Sequence, residues 1–338
     1  MHTGERRVSE REDAVYEAAS MYYLQDVTME VIARRMRVSR STVSRMIKEA
    51  RSSGLVRVSI EPRGDGASAL SRHLHQRFGV RARVVPVRAG ATDVQRLDQV
   101  ARVAGRLITE WVQPGTVLGL AWGTTLSAVV EHLVPKHAPG SAVVQLNGAA
   151  NPVTSGIPHA GSIITAAAEA FDASVHHFPV PAFFDYAGTK QAMWRERSIR
   201  SVLTVQARAD MAVFGVGAFT GALASHVYAG GYMSEEDQQL LRAEGVVGDV
   251  CTVLLREDGS YADIELNARA TGPTPAELAR VARRVCVVAG NAKVPPLLGA
   301  LRARVATDLI IDEGTARTLL DRARQPIPAV PGSGRGER

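Results

Sequence analysis

The chain changes character once, at Glu61-Pro62-Arg63-Gly64-Asp65-Gly66, and that change limits the folds open to it. A proline, two glycines and mixed charges there interrupt the patterns on both sides. Upstream, apolar residues recur at helical spacing. Downstream, short apolar runs alternate with helical stretches, the pattern of an α/β domain built on a largely parallel sheet. The 338 residues suffice for a small domain and a large one. The expected fold class is α/β, an all-helical N-terminal domain followed by a Rossmann-like α/β domain. The expected divisions are a helix-turn-helix domain at 1–60, a linker at 61–68, the α/β domain at 69–324 and a disordered Pro/Gly-rich tail at 325–338. Strands are expected at 83–87, 116–121, 142–147, 175–180, 211–216, 252–255, 285–288 and 309–311. Several lack alternation, as strands covered by helices on both faces do.

Hydrophobic residues at 46% and charged residues at 22% exclude a mostly disordered or fibrous chain. Cys251 and Cys286 each lie in an apolar run without metal-ligand spacing, so both are expected as buried thiols. His176 and His177 would face opposite sides of a strand, which argues against a shared metal. His159 is expected on a pocket loop. No metal or cofactor is expected. The charged N-terminal segment lacks the apolar core of a signal peptide. No apolar run approaches the roughly 20 residues of a membrane span. A cytoplasmic protein with no membrane partner is expected.

Between residues 11 and 60 the spacing predicts three helices and an extended exit. The first covers about 12–24, with Val15, Ala18, Ala19, Tyr22 and Tyr23 on its apolar side. The second covers 29–36 behind Thr28 as N-cap, and the third runs from a Ser39 cap to about residue 53, with Gly54 as its terminator. In the third helix Val43, Ile47 and Ala50 share one face, leaving Arg40, Ser41, Ser44, Arg45 and Lys48 largely on the other. A helix-turn-helix needs that division, because one side packs on the second helix while the other reaches DNA. From Arg34 to Arg57 there are eight basic residues against Glu49 alone, so this segment's net charge exceeds the whole chain's +6. Double-stranded DNA is therefore the expected partner. Arg40, Ser41, Ser44 and Arg45 are candidates for base edges, and Thr28, Arg37, Ser39, Thr42 and Lys48 for phosphates. The bland alternative is a solvated amphipathic helix pair that mediates contacts.

In the larger domain, a strand, a tight Gly123-Thr124-Thr125 turn and a helix bearing Leu126, Val129, Val130 and Leu133 follow one another. Such a turn offers backbone N–H groups and two hydroxyls at a helix N-terminus, which suits a phosphate. The helical segment from Tyr22 to Arg51 resembles the DNA-binding module of SorC-type sugar-responsive regulators. Later landmarks match in the same order: Leu120-Ala-Trp-Gly-Thr-Thr-Leu126, Val144-Gln-Leu-Asn-Gly148, Gly215-Val-Gly217, Gly231-Tyr-Met-Ser-Glu-Glu236, Gly245-Val-Val-Gly-Asp249, Leu266-Asn-Ala-Arg269 and Val288-Ala-Gly-Asn-Ala-Lys293. The resemblance covers about 12–322. It implies a sugar-binding domain related in fold to sugar-phosphate isomerases and deaminases, a homotetramer built as a dimer of dimers, and a phosphorylated sugar or related effector. By position it makes Trp122, Gly123, Thr124 and Thr125 the phosphate loop, Asp249 a partner for ligand hydroxyls, and Lys293 a cation for the ligand. Gln145 and Arg269 are further lining candidates. Asp249 as a plain turn or cap residue and Lys293 as a surface charge are the competing readings.

Three functions follow from these expectations. The first is a transcription regulator whose operator affinity a small sugar-like effector controls, not an enzyme. The second is a sugar-phosphate isomerase or deaminase with an added helical domain; such chemistry needs a general base beside a second acid, and no compact constellation accompanies Asp249. The third is a regulator whose larger domain only oligomerises.

Overall fold

The computed structural model describes residues 3–56, 65–153, 156–223 and 225–326. The expected extended exit to residue 60, most of the linker and most of the tail lie outside the described residues. Contacts divide the chain into two units, 1–63 and 64–338.

The first unit holds α1 (Thr3–Tyr23), α2 (Met29–Met36) and α3 (Arg40–Ser52). Ala18, Met21, Ile32, Ala33, Val43 and Ile47 form its core, with Tyr22, Tyr23 and Val38 packed against it. The Ser39 hydroxyl caps α3 by accepting from the Thr42 N–H at 3.1 Å, and Gly54 follows the helix at φ +78°. Thr28 precedes α2 without a side-chain cap bond. The first helix begins nine residues earlier than expected, because its charged N-terminal stretch carries no apolar stripe for periodicity to detect.

In the second unit α4 (Asp65–Phe78) precedes β1 (Arg81–Val85), so the last four residues of the expected linker are helical. There follow α5 (Asp93–Trp111), β2 (Val117–Leu120), α6 (Thr124–Val130), β3 (Ala142–Gln145), α7 (Ile157–Phe171) and β4 (Ser174–His176). Next come α8 (Ala187–Met193), α9 (Arg197–Gln206), β5 (Met211–Phe214), β6 (Gly217–Ala218), α10 (His226–Ala229) and α11 (Glu235–Ala243). The chain continues through β7 (Val246–Val250), β8 (Val253–Arg256), α12 (Pro275–Leu278), β9 (Arg283–Val288), α13 (Val294–Arg302), β10 (Asp308–Asp312) and α14 (Glu313–Ala323).

Among the described residues, seven strands form a parallel sheet in the order β1-β10-β9-β5-β2-β3-β4. Apolar layers lie on both faces. One is built from α5, α6 and α7 residues such as Val100, Leu126 and Ile163. The other uses α4, α13 and α14 residues such as Leu74, Leu297 and Leu319. This double cover is why β3, β5 and β10 are buried along their whole length. The run at 252–255 departs from the expected parallel pattern: β8 pairs antiparallel with β7 in a separate sheet of order β6-β7-β8. The strand expected at 175–180 ends at His176, leaving His177 beyond it.

From β2 the chain steps outward through β3 to β4, then returns to lay β5 on the other side of β2. The crevice at the C-terminal ends of β2 and β5 is thus a topological switch point, where doubly wound sheets place their ligands.

Candidate functional site

A cleft occupies that switch point. The segment after β2 supplies Trp122, Gly123, Thr124 and Thr125, and the end of β5 supplies Gly215 and Val216. The turn after β9 supplies Lys293, and the small sheet supplies Asp249 and Thr252. Gly123 adopts φ +128°, a backbone conformation that side chains disfavour, and so lets the chain turn from strand to helix. The N–H groups of α6's first turn have no intrahelical acceptor. The Thr124 and Thr125 hydroxyls have no hydrogen-bond partner among the described residues. Unpartnered donors are therefore among the groups that line the cleft.

Trp122 lines the cleft and is held in its wall. Its indole N–H donates to the carbonyls of Asn147 and Gly148, at 3.2 and 3.0 Å, and its ring stacks on Tyr232. Asp249 is fully buried; Oδ1 accepts the Tyr228 hydroxyl and Oδ2 the Thr252 N–H, both at 2.9 Å. Gly217, paired with Asp249 across the small sheet, has no room for a side chain, since a Cβ there would meet Oδ1. Burial raises the Asp249 carboxyl, against the opposing effects of the Tyr228 and Thr252 bonds and the Lys293 charge. Burial likewise lowers the Lys293 ammonium, opposed by Asp249 and Cys286. The Lys293 Nζ donates to the Val216 carbonyl at 2.9 Å, anchoring the β9 turn to the end of β5.

Two expected lining residues are elsewhere. Gln145 is buried and committed: Oε1 accepts from the Phe178 N–H and Nε2 donates to the Asn147 carbonyl. Arg269 is half-buried and donates to the Asp185 carbonyl, outside the cleft. Asn147 reaches the cleft instead, with a buried Oδ1 that lacks a hydrogen-bond partner. Strand β3 stops at Gln145, two residues short of the expected end, and the switch-point rule favours residues just beyond a strand end; the strand expected at 142–147 hid Asn147 inside it. Ser225 and His226 also line the cleft, from a segment with no periodicity to announce it. His159 lies inside α7, not on a loop; its ring sits 4.8 Å from that of His226, and burial followed by the His226 charge lowers its pKa. A second cavity of about 370 Å³ shares Thr124 and His226 with the cleft.

In the first unit Arg40, Ser41, Ser44, Arg45 and Lys48 are exposed on α3, while Val43, Ile47 and Ala50 are buried. Arg40 pairs with Glu30 of α2 at 2.7 Å. Arg45 folds along its own helix, toward the Ser41 carbonyl and the Thr42 hydroxyl. Ser39, with its hydroxyl 2.8 Å from those of Ser41 and Thr42, is engaged in capping. Thr28 and Arg37 are exposed at the two ends of α2, Arg37 in the left-handed conformation.

No helix among the described residues is long and apolar enough to cross a membrane. No cluster of three or more His, Cys, Asp or Glu positioned for a metal occurs among them either. The fold and the cleft define a doubly wound α/β domain with its candidate ligand site at the switch point, carried behind a three-helix unit. Residues 64–321 match the family described as "Putative sugar-binding domain". The chain is 31% identical over 323 residues to the deoxyribonucleoside regulator of Bacillus subtilis, covering 92% of this chain and 98% of the relative. The full-length sorbitol operon regulator SorC of Klebsiella pneumoniae superposes with a TM-score of 0.73 at 25% identity, over 90% of this chain and 97% of that one. A domain of "a possible sugar-binding transcriptional regulator" from Arthrobacter aurescens superposes at 0.71 with 48% identity, covering 77% of this chain and 100% of that one. The chain belongs to the SorC-type family of sugar-binding transcriptional regulators.

Proposed function

We propose that this chain is a cytoplasmic DNA-binding transcription regulator whose operator affinity is set by a phosphorylated sugar or sugar-alcohol derivative held in the switch-point cleft. One observation carries the effector assignment. The free N–H groups of α6 and the unpartnered Thr124 and Thr125 hydroxyls share a cleft with a cation, Lys293, and an unpaired acceptor, Asn147 Oδ1. Donors and a cation suit a phosphate, while Asn147 and Asp249 suit sugar hydroxyls. Gln145 and Arg269 are left out of this assignment by their geometry.

In the DNA-reading half, α2 and α3 act as a helix-turn-helix. Arg40, Ser41, Ser44 and Arg45 face base edges, and Thr28, Arg37, Ser39, Thr42 and Lys48 lie along phosphates. The protein works as a homo-oligomer, a tetramer by family resemblance, so paired recognition helices roughly 34 Å apart read a pseudo-palindrome. The effector acts by linkage, shifting DNA affinity by its own preference for one arrangement of the oligomer. The enzyme reading is less well supported, because both oxygens of Asp249, its best candidate base, are already hydrogen-bonded.

The test is binding of the purified protein to its own upstream DNA, with and without a panel of sugar phosphates and their dephosphorylated forms. Salt-sensitive binding that one phosphorylated member shifts, and that Thr125→Val makes unresponsive, is the expected result. Binding unmoved by every member would overturn the effector assignment, and strictly monomeric binding would overturn the oligomer.

A further inference from the structure

A cavity of about 330 Å³ lies between α9, β8 and α12 and shares no lining residue with the switch-point cleft. Its size falls at the lower end of small-molecule sites, roughly 300–1,000 Å³. The wall is mainly apolar, built from Leu146, Trp194, Leu203, Val253, Leu278 and Val281. Its polar groups are mostly matched already. The Asn267 side chain bonds the backbone of Leu254 and Tyr261. Gln206 donates to the carbonyls of Gln145 and Leu146. Thr271 donates to the carbonyls of Pro181 and Ala182, and the Glu277 carboxylate accepts from Thr274.

Lys190 is the exception. Its Nζ stands 5.4 Å from the centre of the Trp194 ring and has no hydrogen-bond or ion-pair partner among the described residues. Burial lowers its pKa, with only the charge of Glu277, which lines the same cavity, acting against that. The cavity thus couples an apolar chamber to one under-compensated cation. Arg280, exposed at the same cavity, adds to the positive side.

We propose that this cavity is a second ligand site, distinct from the effector cleft, that takes an amphipathic monoanion. The ligand's apolar body lies against Leu203, Val253 and Leu278, and its carboxylate pairs with the Lys190 ammonium above Trp194. A charge-assisted hydrogen bond would complete the lysine without displacing it from the ring.

Octanoate and its neutral isostere octanamide are the probes, titrated calorimetrically into the full chain with tryptophan fluorescence followed in parallel. One octanoate per chain should bind at least about tenfold more tightly than octanamide, the margin expected of a hydrogen bond to a charged group. Lys190→Met should bring the two probes to equal affinity, Lys190→Arg should keep the preference, and Thr125→Val in the other cleft should leave octanoate binding unchanged. The melting temperature of each variant controls for folding. Equal affinity of the two probes for the unmodified chain, or no saturable binding, would overturn the site. So would octanoate binding that weakens as protein concentration rises, because a second copy of the chain would then be the occupant.

Discussion

The Thr252 backbone N–H donates to Asp249 Oδ2 at 2.9 Å across the tip of the β7–β8 hairpin. Cys251 and Thr252, the two residues of that turn, both have positive φ, at 50° and 69°. Two-residue hairpins of this hand normally use Asn or Gly there. Each such residue costs on the order of 1–3 kcal/mol and persists only where its surroundings impose it. Asp249 is one source of that constraint, and it lines the candidate cleft as well.

Replacing Asp249 therefore separates two roles. Asp249→Ala removes the acceptor for both Thr252 and Tyr228 and should destabilise the domain by about 1–3 kcal/mol, the cost of leaving buried donors unpaired. Asp249→Asn keeps an acceptor for Thr252 and relieves the buried charge. Because burial raises the Asp249 pKa, its contribution favours the fold at low pH and is lost as pH rises through the folded value. The Asn variant should accordingly gain stability relative to the parent as pH rises to neutrality, while still losing effector response. Thermal melts from about pH 4, where the unfolded carboxyl titrates, up to about pH 8 check this; a neutral-pH melting temperature for the Asn variant well below the parent's would contradict it.

Asp308 should behave in the opposite sense. Its burial alone would raise the carboxyl, but hydrogen bonds from Arg81 and Thr307 and the charges of Arg81 and Arg283 together hold it below the usual range. A depressed carboxyl contributes stability above its unfolded pKa, about 3.9, and loses it as pH falls through the folded value. Asp308→Asn should thus melt lower than the parent at neutral pH, with the gap closing below about pH 4. Parallel melting curves at every pH would show that the Arg81 pair contributes nothing.

A third test concerns the turn that carries Lys293. The Asp312 side chain, with no exposed surface, caps α14 through the Thr315 N–H. It also accepts the Gly290 N–H at 3.1 Å and pairs with Arg96 at 2.8 Å. It does not line the cleft. Asp312→Asn should weaken effector binding about five- to tenfold, roughly 1–1.4 kcal/mol, by loosening residues 290–293. Arg96→Met, which leaves the Gly290 bond in place, should weaken it less. Equal losses in the two variants would point to general destabilisation.

Much of this was legible in the sequence, for reasons that differ by element. Ser39 followed by Val43, Ile47 and Ala50 located α3 within a residue, because a cap and an apolar stripe agree there. The buried strands β3, β5 and β10 announced themselves as apolar runs. The small sheet did not: β6 has two residues, and β7 contains Gly248 and Asp249, types that strands usually avoid. In the cleft, the Gly123 turn followed from local chemistry. Gln145 is a candidate by its position in the family resemblance, with the strand expected to run to 147; β3 ends at Gln145 instead, which leaves that side chain in the core and puts Asn147, two residues on, in the cleft.

Glu30 of α2 is not among the residues proposed to contact DNA, yet it pairs with one of them. Its carboxylate holds the Arg40 guanidinium at 2.7 Å, with both side chains largely exposed, so the pair itself adds little stability. In the DNA-reading arrangement proposed here, however, Glu30 stands beside the end of α3 that enters the major groove, where it competes with DNA for Arg40 and repels phosphates. Glu30→Gln should leave the melting temperature nearly unchanged, raise affinity for unrelated duplex DNA, and steepen the dependence of log K on log salt by up to about one phosphate's worth. Arg40→Ala should do the reverse and lose specific affinity as well, by about 1–3 kcal/mol if the side chain reaches a base pair. In the double variant the Glu30→Gln gain should largely vanish, because it acts through Arg40. If the gain persists without Arg40, Glu30 acts by simple charge repulsion, and Arg40 is not the residue that it restrains from the DNA.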